Sequence, residues 1–297
     1  MLSARMRILF VTSSRIGDAV LSTGLLDHLI RTCPTARITV ATGPVAEGVF
    51  LRMPHLERLI LMEKRPYGGH WLGLWAATVG TWWDLVVDIR ASALSWLVPA
   101  RRRAVMRRST GHKTAQLAAV LGLVPPPLPV VWTAPADRAR AAALLPPGPP
   151  VLALGPTANW RGKVWPPDRF VALARHLLAG PLAGARIAVL AGPGAEERSL
   201  AAPVLAALPA AIDLVGRLTL PEAAACLAGA ALFVGNDSGL MHLAAAAGAP
   251  TLGLFGPTPA AEYAPAGRRA AAVVGRGPRM ADLDVAAAVA AAEALLT

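Results

Sequence analysis

The chain has 297 residues, 55% of them apolar, and a formal net charge of +11. That length suits one large or two mid-sized domains with substantial cores. Its two cysteines, Cys33 and Cys226, lie far apart in apolar helical contexts, which excludes a disulfide framework or thiolate metal site and fits a reducing compartment.

In chain order, residues 7–12 read as a buried strand, followed by the loop SSRIGDAV and a helix to about Thr32. The apolar run 8–11 is too short for a signal-peptide core, so no targeting segment is expected. Residues 37–41 form a second strand ended by Gly43-Pro44, and 85–89 a third, just after Trp82 and Trp83. The tryptophans at 71, 75, 82, 83 and 96 are expected in the core or at a domain interface, with one able to line an acceptor groove. Prolines at 125–129 and 146–150 flank a helix near 137–145 and mark a joint. The expected division is therefore 1–148, 149–280 and a final helical segment 281–297. Strands at 151–154, 186–191, 211–215, 231–235 and 251–255 alternate with Ala-rich helices in the second half, an α/β pattern. The uncharged stretches 114–136 and 238–261 are broken by Pro and Gly, so neither spans a membrane.

Arg101, Arg102, Arg103, Arg107 and Arg108 form a basic cluster. A solvated face is one reading, and an anionic membrane surface or acidic substrate fits equally. No aromatic-basic platform or helix-turn-helix accompanies the cluster, so no nucleic-acid partner is expected.

The most informative stretch is FVGNDSGLMHLAAAAGAPTLGLFGPT at 233–258. A strand runs into a helix capped by Asp237 or Ser238, and such a helix start offers free N–H groups and a positive dipole end to an anion. Three strands of the second half also end in Gly-Pro, at 155–156, 192–193 and 256–257. Open α/β sheets bind ligands at strand carboxyl ends, and no GxGxxG or Walker A motif is present.

SSRIGDAVLSTGLL (13–26), GPTANWRGKVWPPDRF (155–170) and VGNDSGLMHLAAAAGAPTLGLFGPT (234–258), in that order and spacing, resemble glycosyltransferase family 9, the ADP-heptose:lipopolysaccharide heptosyltransferases. The resemblance spans about residues 7–262. It implies a GT-B fold: two Rossmann-like domains facing a cleft, with the last helix packing back on the first domain. It implies an inverting, metal-independent transfer of heptose from ADP-heptose to a lipopolysaccharide core acceptor. The expected location is the cytoplasm, with peripheral contact at the inner membrane's cytoplasmic face.

By the same resemblance, Asp18 is the general base for the acceptor hydroxyl and Lys163 contacts the donor diphosphate, where a cation offsets charge on departing ADP. Thr157 and Asn159 share the lysine loop as phosphate donors, and Asp237 binds a sugar hydroxyl. Ser238 and Gly239 offer backbone N–H groups, His242 points at the same helix end, and Glu222 reaches a ribose hydroxyl. Simpler roles stand beside these: helix capping for Asp18 and Ser238, a first-turn acid for Glu222, a packed helix histidine for His242. Arg90, Arg101 and Arg102 are the acceptor-side candidates, and Thr12 stands where some relatives carry a basic residue. Asp282 and Asp284 read as helix caps, so neither metal nor cofactor is expected. The alternative function is a non-catalytic nucleotide-sugar or anionic-glycan binding module of the same fold.

Overall fold

The computed structural model describes residues 6–297. The chain divides between Trp132 and Thr133 into two compact units. The first contains β1 (Arg7–Val11), α1 (Ile16–Thr32), β2 (Arg37–Thr42), α2 (Glu47–Phe50) and β3 (Leu56–Leu61). It continues with α3 (Gly69–Thr78), β4 (Trp83–Asp88), α4 (Leu94–Leu97), β5 (Ala100–Val105) and α5 (Lys113–Ala118). Its parallel sheet has the order β3-β2-β1-β4-β5. Ile8, Leu9, Phe10 and Val11 of central β1 are fully buried, because a parallel strand covered by helices on both faces must be apolar on both. The chain winds outward from β1 to β3 and then restarts at β4 on the other side, so a crevice opens at the carboxyl ends of β1 and β4.

The second unit runs α6 (Pro135–Leu144), β6 (Val151–Gly155), α7 (Pro167–Ala179), β7 (Arg186–Val189), α8 (Ala195–Ala207) and β8 (Ile212–Asp213). It continues with α9 (Leu220–Ala228), β9 (Leu232–Asn236), α10 (Gly239–Ala246), β10 (Thr251–Phe255), α11 (Ala260–Tyr263), β11 (Ala270–Val274) and α12 (Val285–Leu296). The parallel order is β11-β10-β9-β6-β7-β8. Here the winding reverses between β6 and β9.

Several expectations change. The division precedes the helix of the proline joint, because α6 packs on α9 in the second unit. The last helix also finds its partners there. Ala288 and Ala292, one turn apart and fully buried, join the core containing Leu173 and Leu252, and α12 lies on α7 and β11. Small side chains at that spacing let the helix backbone approach closely. Of the five tryptophans, Trp83 is buried and donates from Nε1 to the Thr78 carbonyl at 3.0 Å, whereas Trp82 and Trp96 are exposed.

Candidate active site

Each unit places part of its sequence-predicted set beside its own winding reversal. In the second unit these are the loop after β6, carrying Lys163, and the loop after β9, carrying Asp237. Asn236 joins the two loops. Its side-chain Oδ1 accepts the Trp165 N–H at 3.0 Å, and its Nδ2 donates to the Thr157 carbonyl at 3.5 Å. One buried amide therefore satisfies a donor and an acceptor that no strand partner reaches. Beneath the loop, fully buried Trp165 donates from Nε1 to the Leu283 carbonyl at 2.9 Å and meets Phe170 edge-on at 5.1 Å. Gly162 has no room for a side chain, since a Cβ there would lie 2.5 Å from the Trp160 ring.

Held this way, Lys163 Nζ donates to Asp237 Oδ2 at 2.6 Å, and Thr258 Oγ1 donates to the same oxygen at 2.8 Å. Asp237 is buried and Lys163 mostly so. An ammonium has three donors, so Lys163 retains capacity for an anionic oxygen, and Asp237 Oδ1 keeps its acceptor capacity for a hydroxyl. Ser238 is the N-cap of α10, its Oγ accepting the Met241 N–H at 3.5 Å. Gly239 opens that helix, so its backbone N–H is one of the first-turn donors without an intrahelical partner. His242 is buried one turn on, and Thr157 is buried while Asn159 is exposed. Glu222 takes the capping role: its Oε2 accepts the Thr219 N–H at 2.8 Å while Thr219 Oγ1 accepts the Glu222 N–H at 3.4 Å. Asp284 likewise caps α12 through the Ala287 N–H at 2.7 Å, and Asp282 pairs with Arg279 at 3.0 Å.

In the first unit, the loops after β1 and β4 meet. Asp18 lies in the first turn of α1, whose N-cap Arg15 makes no side-chain cap. The Asp18 carboxylate accepts from Ser13 Oγ at 3.3 Å, so it is not spent on helix capping. Gly43 allows this loop to pass, because a Cβ there would lie 2.5 Å from Ser14 Cβ. Fully buried Asp88 shapes the opposite loop. It accepts the Arg90 N–H at 2.8 Å, the Ser92 hydroxyl at 2.5 Å and the Ser95 hydroxyl at 2.5 Å. Arg90 is thereby presented toward the first loop: Nη1 donates to Ser14 Oγ at 3.3 Å and the guanidinium lies over Trp71 at 5.4 Å. The structure thus brings Arg90 and Asp18 to one crevice. Arg101 and Arg102 are exposed on edge strand β5 instead. Sequence reasoning passed over Asn236 and Thr258, although both stand inside the quoted NDSG and GPT motifs. It also missed Asp88, which nothing but its apolar strand context marks.

Comparison with known proteins identifies the family. A family model, glycosyltransferase family 9 (heptosyltransferase), matches residues 89–289. The chain is 26% identical to lipooligosaccharide heptosyltransferase 2 of Haemophilus influenzae, over 88% of this chain and 86% of that protein. A segment of 112 residues, 38% of this chain and 30% of the relative, is 40% identical to lipopolysaccharide heptosyltransferase 1 of Pseudomonas aeruginosa. Among solved structures, a family 9 glycosyltransferase from Veillonella parvula has a TM-score of 0.82 at 19% identity, covering 100% of this chain and 98% of that one. An Escherichia coli heptosyltransferase with ADP has a TM-score of 0.77 at 18% identity, covering 98% and 100%. The α/β class with two parallel sheets, expected of a GT-B chain, is shared with these neighbours. The chain belongs to glycosyltransferase family 9, the heptosyltransferase family, and is a glycosyltransferase.

Proposed function

We propose that the enzyme transfers heptose from ADP-heptose to a lipopolysaccharide core acceptor by a single, inverting displacement. The observation that carries this reading is the pairing of Lys163 with Asp237 at the opening of α10. A cation, a helix N-terminus and a hydroxyl-binding carboxylate suit a sugar diphosphate better than a simple anion. The E. coli relative whose structure contains ADP supports the same donor class. The diphosphate competes with Asp237 for Lys163, and Lys163 with the Ser238 and Gly239 N–H groups holds it as charge builds on departing ADP.

Asp18 is the proposed base. The acceptor hydroxyl gives its proton to the Asp18 carboxylate as its oxygen attacks the anomeric carbon. The bond from that carbon to the ADP oxygen breaks, and its electron pair leaves with ADP. One displacement inverts the anomeric configuration, and no step calls for a metal or other cofactor. Arg90 is placed to receive an acidic group of the acceptor. The reading puts the enzyme in the cytoplasm, at the inner membrane where such an acceptor is anchored.

A thermal-shift panel of ADP, UDP, GDP and their sugars tests the donor. A ligand at 100 times its Kd stabilises the native state by about 2.7 kcal/mol. Selective stabilisation by ADP species is expected, and equal shifts with UDP or GDP species would overturn the donor assignment. A binding module that lacked catalysis would show the ADP shift without releasing ADP from ADP-heptose when acceptor is added.

A further inference from the structure

Between residues 64 and 108 the chain holds eight Lys and Arg residues against two acids, Asp84 and Asp88, and five of its eight tryptophans. Asp88 is fully buried and Asp84 accepts the Arg7 N–H at 2.8 Å, so the exposed charge of this region is almost wholly positive. Two of these tryptophans, Trp71 and Trp75, lie on one face with other apolar side chains. A groove of about 750 Å³ runs between α3 and α4, lined by Tyr67, Trp71, Leu72, Trp75 and Leu97, with Arg90 at its inner end. Trp75 Nε1 donates to the Leu97 carbonyl at 3.1 Å, which fixes the two helices side by side.

The rim of this groove is unusually apolar for a solvated surface. Leu72 is 66% exposed and Leu97 60%, and Trp96, which precedes Leu97 in α4 outside the groove lining, is 69% exposed. Contiguous apolar surface of this kind marks an interaction site. Its flanks are cationic. Lys64 and Arg65 immediately precede it, and both are exposed. Strand alternation puts Arg101 on the same side of β5 as Arg103, which stacks over Trp96 at 5.7 Å and donates to the Ser95 and Val98 carbonyls on the α4 side. Arg102 points to the other face of the sheet.

We propose that this face docks on an anionic lipid bilayer, with Leu72, Trp75, Trp96 and Leu97 entering the headgroup layer and Lys64, Arg65 and Arg101 meeting lipid phosphates. Charge complementarity selects the occupant. Tryptophan prefers the membrane–water boundary, and basic side chains beside it are drawn to anionic leaflets. No helix among the described residues is long and apolar enough to cross a membrane, so the contact is interfacial. The proposal deepens the membrane contact in the function proposed above. It gives the Arg90 end of the groove a reason to open beside Asp18, where a lipid-anchored acceptor would arrive.

The test is co-sedimentation of the full chain with vesicles of phosphatidylcholine alone, or of phosphatidylcholine with an equal amount of phosphatidylglycerol. Neither ADP-sugar nor glycolipid is present, so the result is independent of heptosyl transfer. The wild type is expected to sediment with the anionic vesicles and to be released by high salt. Arg65→Glu with Arg101→Glu should reduce partitioning about 25-fold or more, since each basic residue near such a surface contributes about fivefold. Leu72→Glu with Leu97→Glu should reduce it comparably while ADP binding and the melting temperature hold. Failure of the wild type to bind anionic vesicles would overturn the proposal, as would unchanged binding by both variants. Self-association on a sizing column that the leucine variant abolishes, without vesicle binding, would assign the face to a protein contact instead.

Discussion

The two winding reversals carry opposite kinds of site. At the second, three side chains are committed to one another, Lys163 and Thr258 both donating to Asp237, and Asn236 braces the lysine loop through its backbone. At the first, Asp18 meets Ser13 at 3.3 Å and Arg90 meets Ser14 at 3.3 Å, beside an open apolar groove. The contrast is what the division of labour proposed above would require. A site for a fixed diphosphate gains from preorganised donors, while a site that admits a bulky acceptor must leave its reactive carboxylate accessible.

Substitution on the first side should strike turnover. Asp18→Asn is expected to lower kcat by ~10²–10⁴-fold, the usual contribution of a positioned base, and to leave ADP affinity near wild type in a direct titration. On the second side, Lys163→Ala removes a charge-assisted contact of roughly 1.5–3 kcal/mol. ADP-heptose should therefore bind roughly 10–150-fold more weakly, and an unchanged Kd would reduce Lys163 to an internal partner of Asp237. Asn236→Ala leaves the Trp165 N–H and Thr157 carbonyl without their partner, at a cost of about 1–3 kcal/mol in chemical unfolding. At the first reversal buried Asp88 and Thr42 brace the loops, Thr42 donating to the Ser13 carbonyl at 2.7 Å. Arg90 is not one of these braces, so Arg90→Ala should leave stability near wild type and raise the acceptor KM alone. An equal rise in donor KM would break the proposed division. The smallest effect concerns Cys226, whose thiol burial pushes up to about 11, with nearby Glu222 adding to it. The raised value keeps the thiol protonated at pH 8, so iodoacetamide should alkylate the half-exposed Cys33 first. Faster labelling of Cys226 would show that the second unit opens locally.

How far the sequence could be read follows the same logic of burial. Strands β1, β2, β4, β6, β9 and β10 are interior to their sheets, and such strands appear as short apolar runs. The strands missed were β3, β5 and β11, all at sheet edges. LERLIL carries the exposed charges Glu57 and Arg58, ARRRAV read as a surface cluster, and AAAVV has helix-like composition. Motif order identified the loops that carry Asp18, Lys163 and Asp237. It did not separate ligand groups from braces, because Asn236, Asp237 and Ser238 are adjacent and only their hydrogen-bond partners distinguish them. For Glu222 the first-turn reading offered beside the ribose contact is the one the hydrogen bonds display: TLPE forms a capping box. The basic cluster divides too, Arg103 serving α4 while Arg101 and Arg102 stay exposed.

The central claim is a single displacement of ADP by an acceptor oxygen that Asp18 deprotonates. Its most direct test is the anomeric configuration of the glycoside that the wild-type enzyme forms from ADP-heptose and a lipopolysaccharide core acceptor, read by NMR. The account predicts inversion relative to the donor, with one ADP released per glycosidic bond formed. Retention of configuration would contradict it by requiring a second displacement, and hydrolysis of ADP-heptose without a glycoside product would contradict it by removing the acceptor from the reaction.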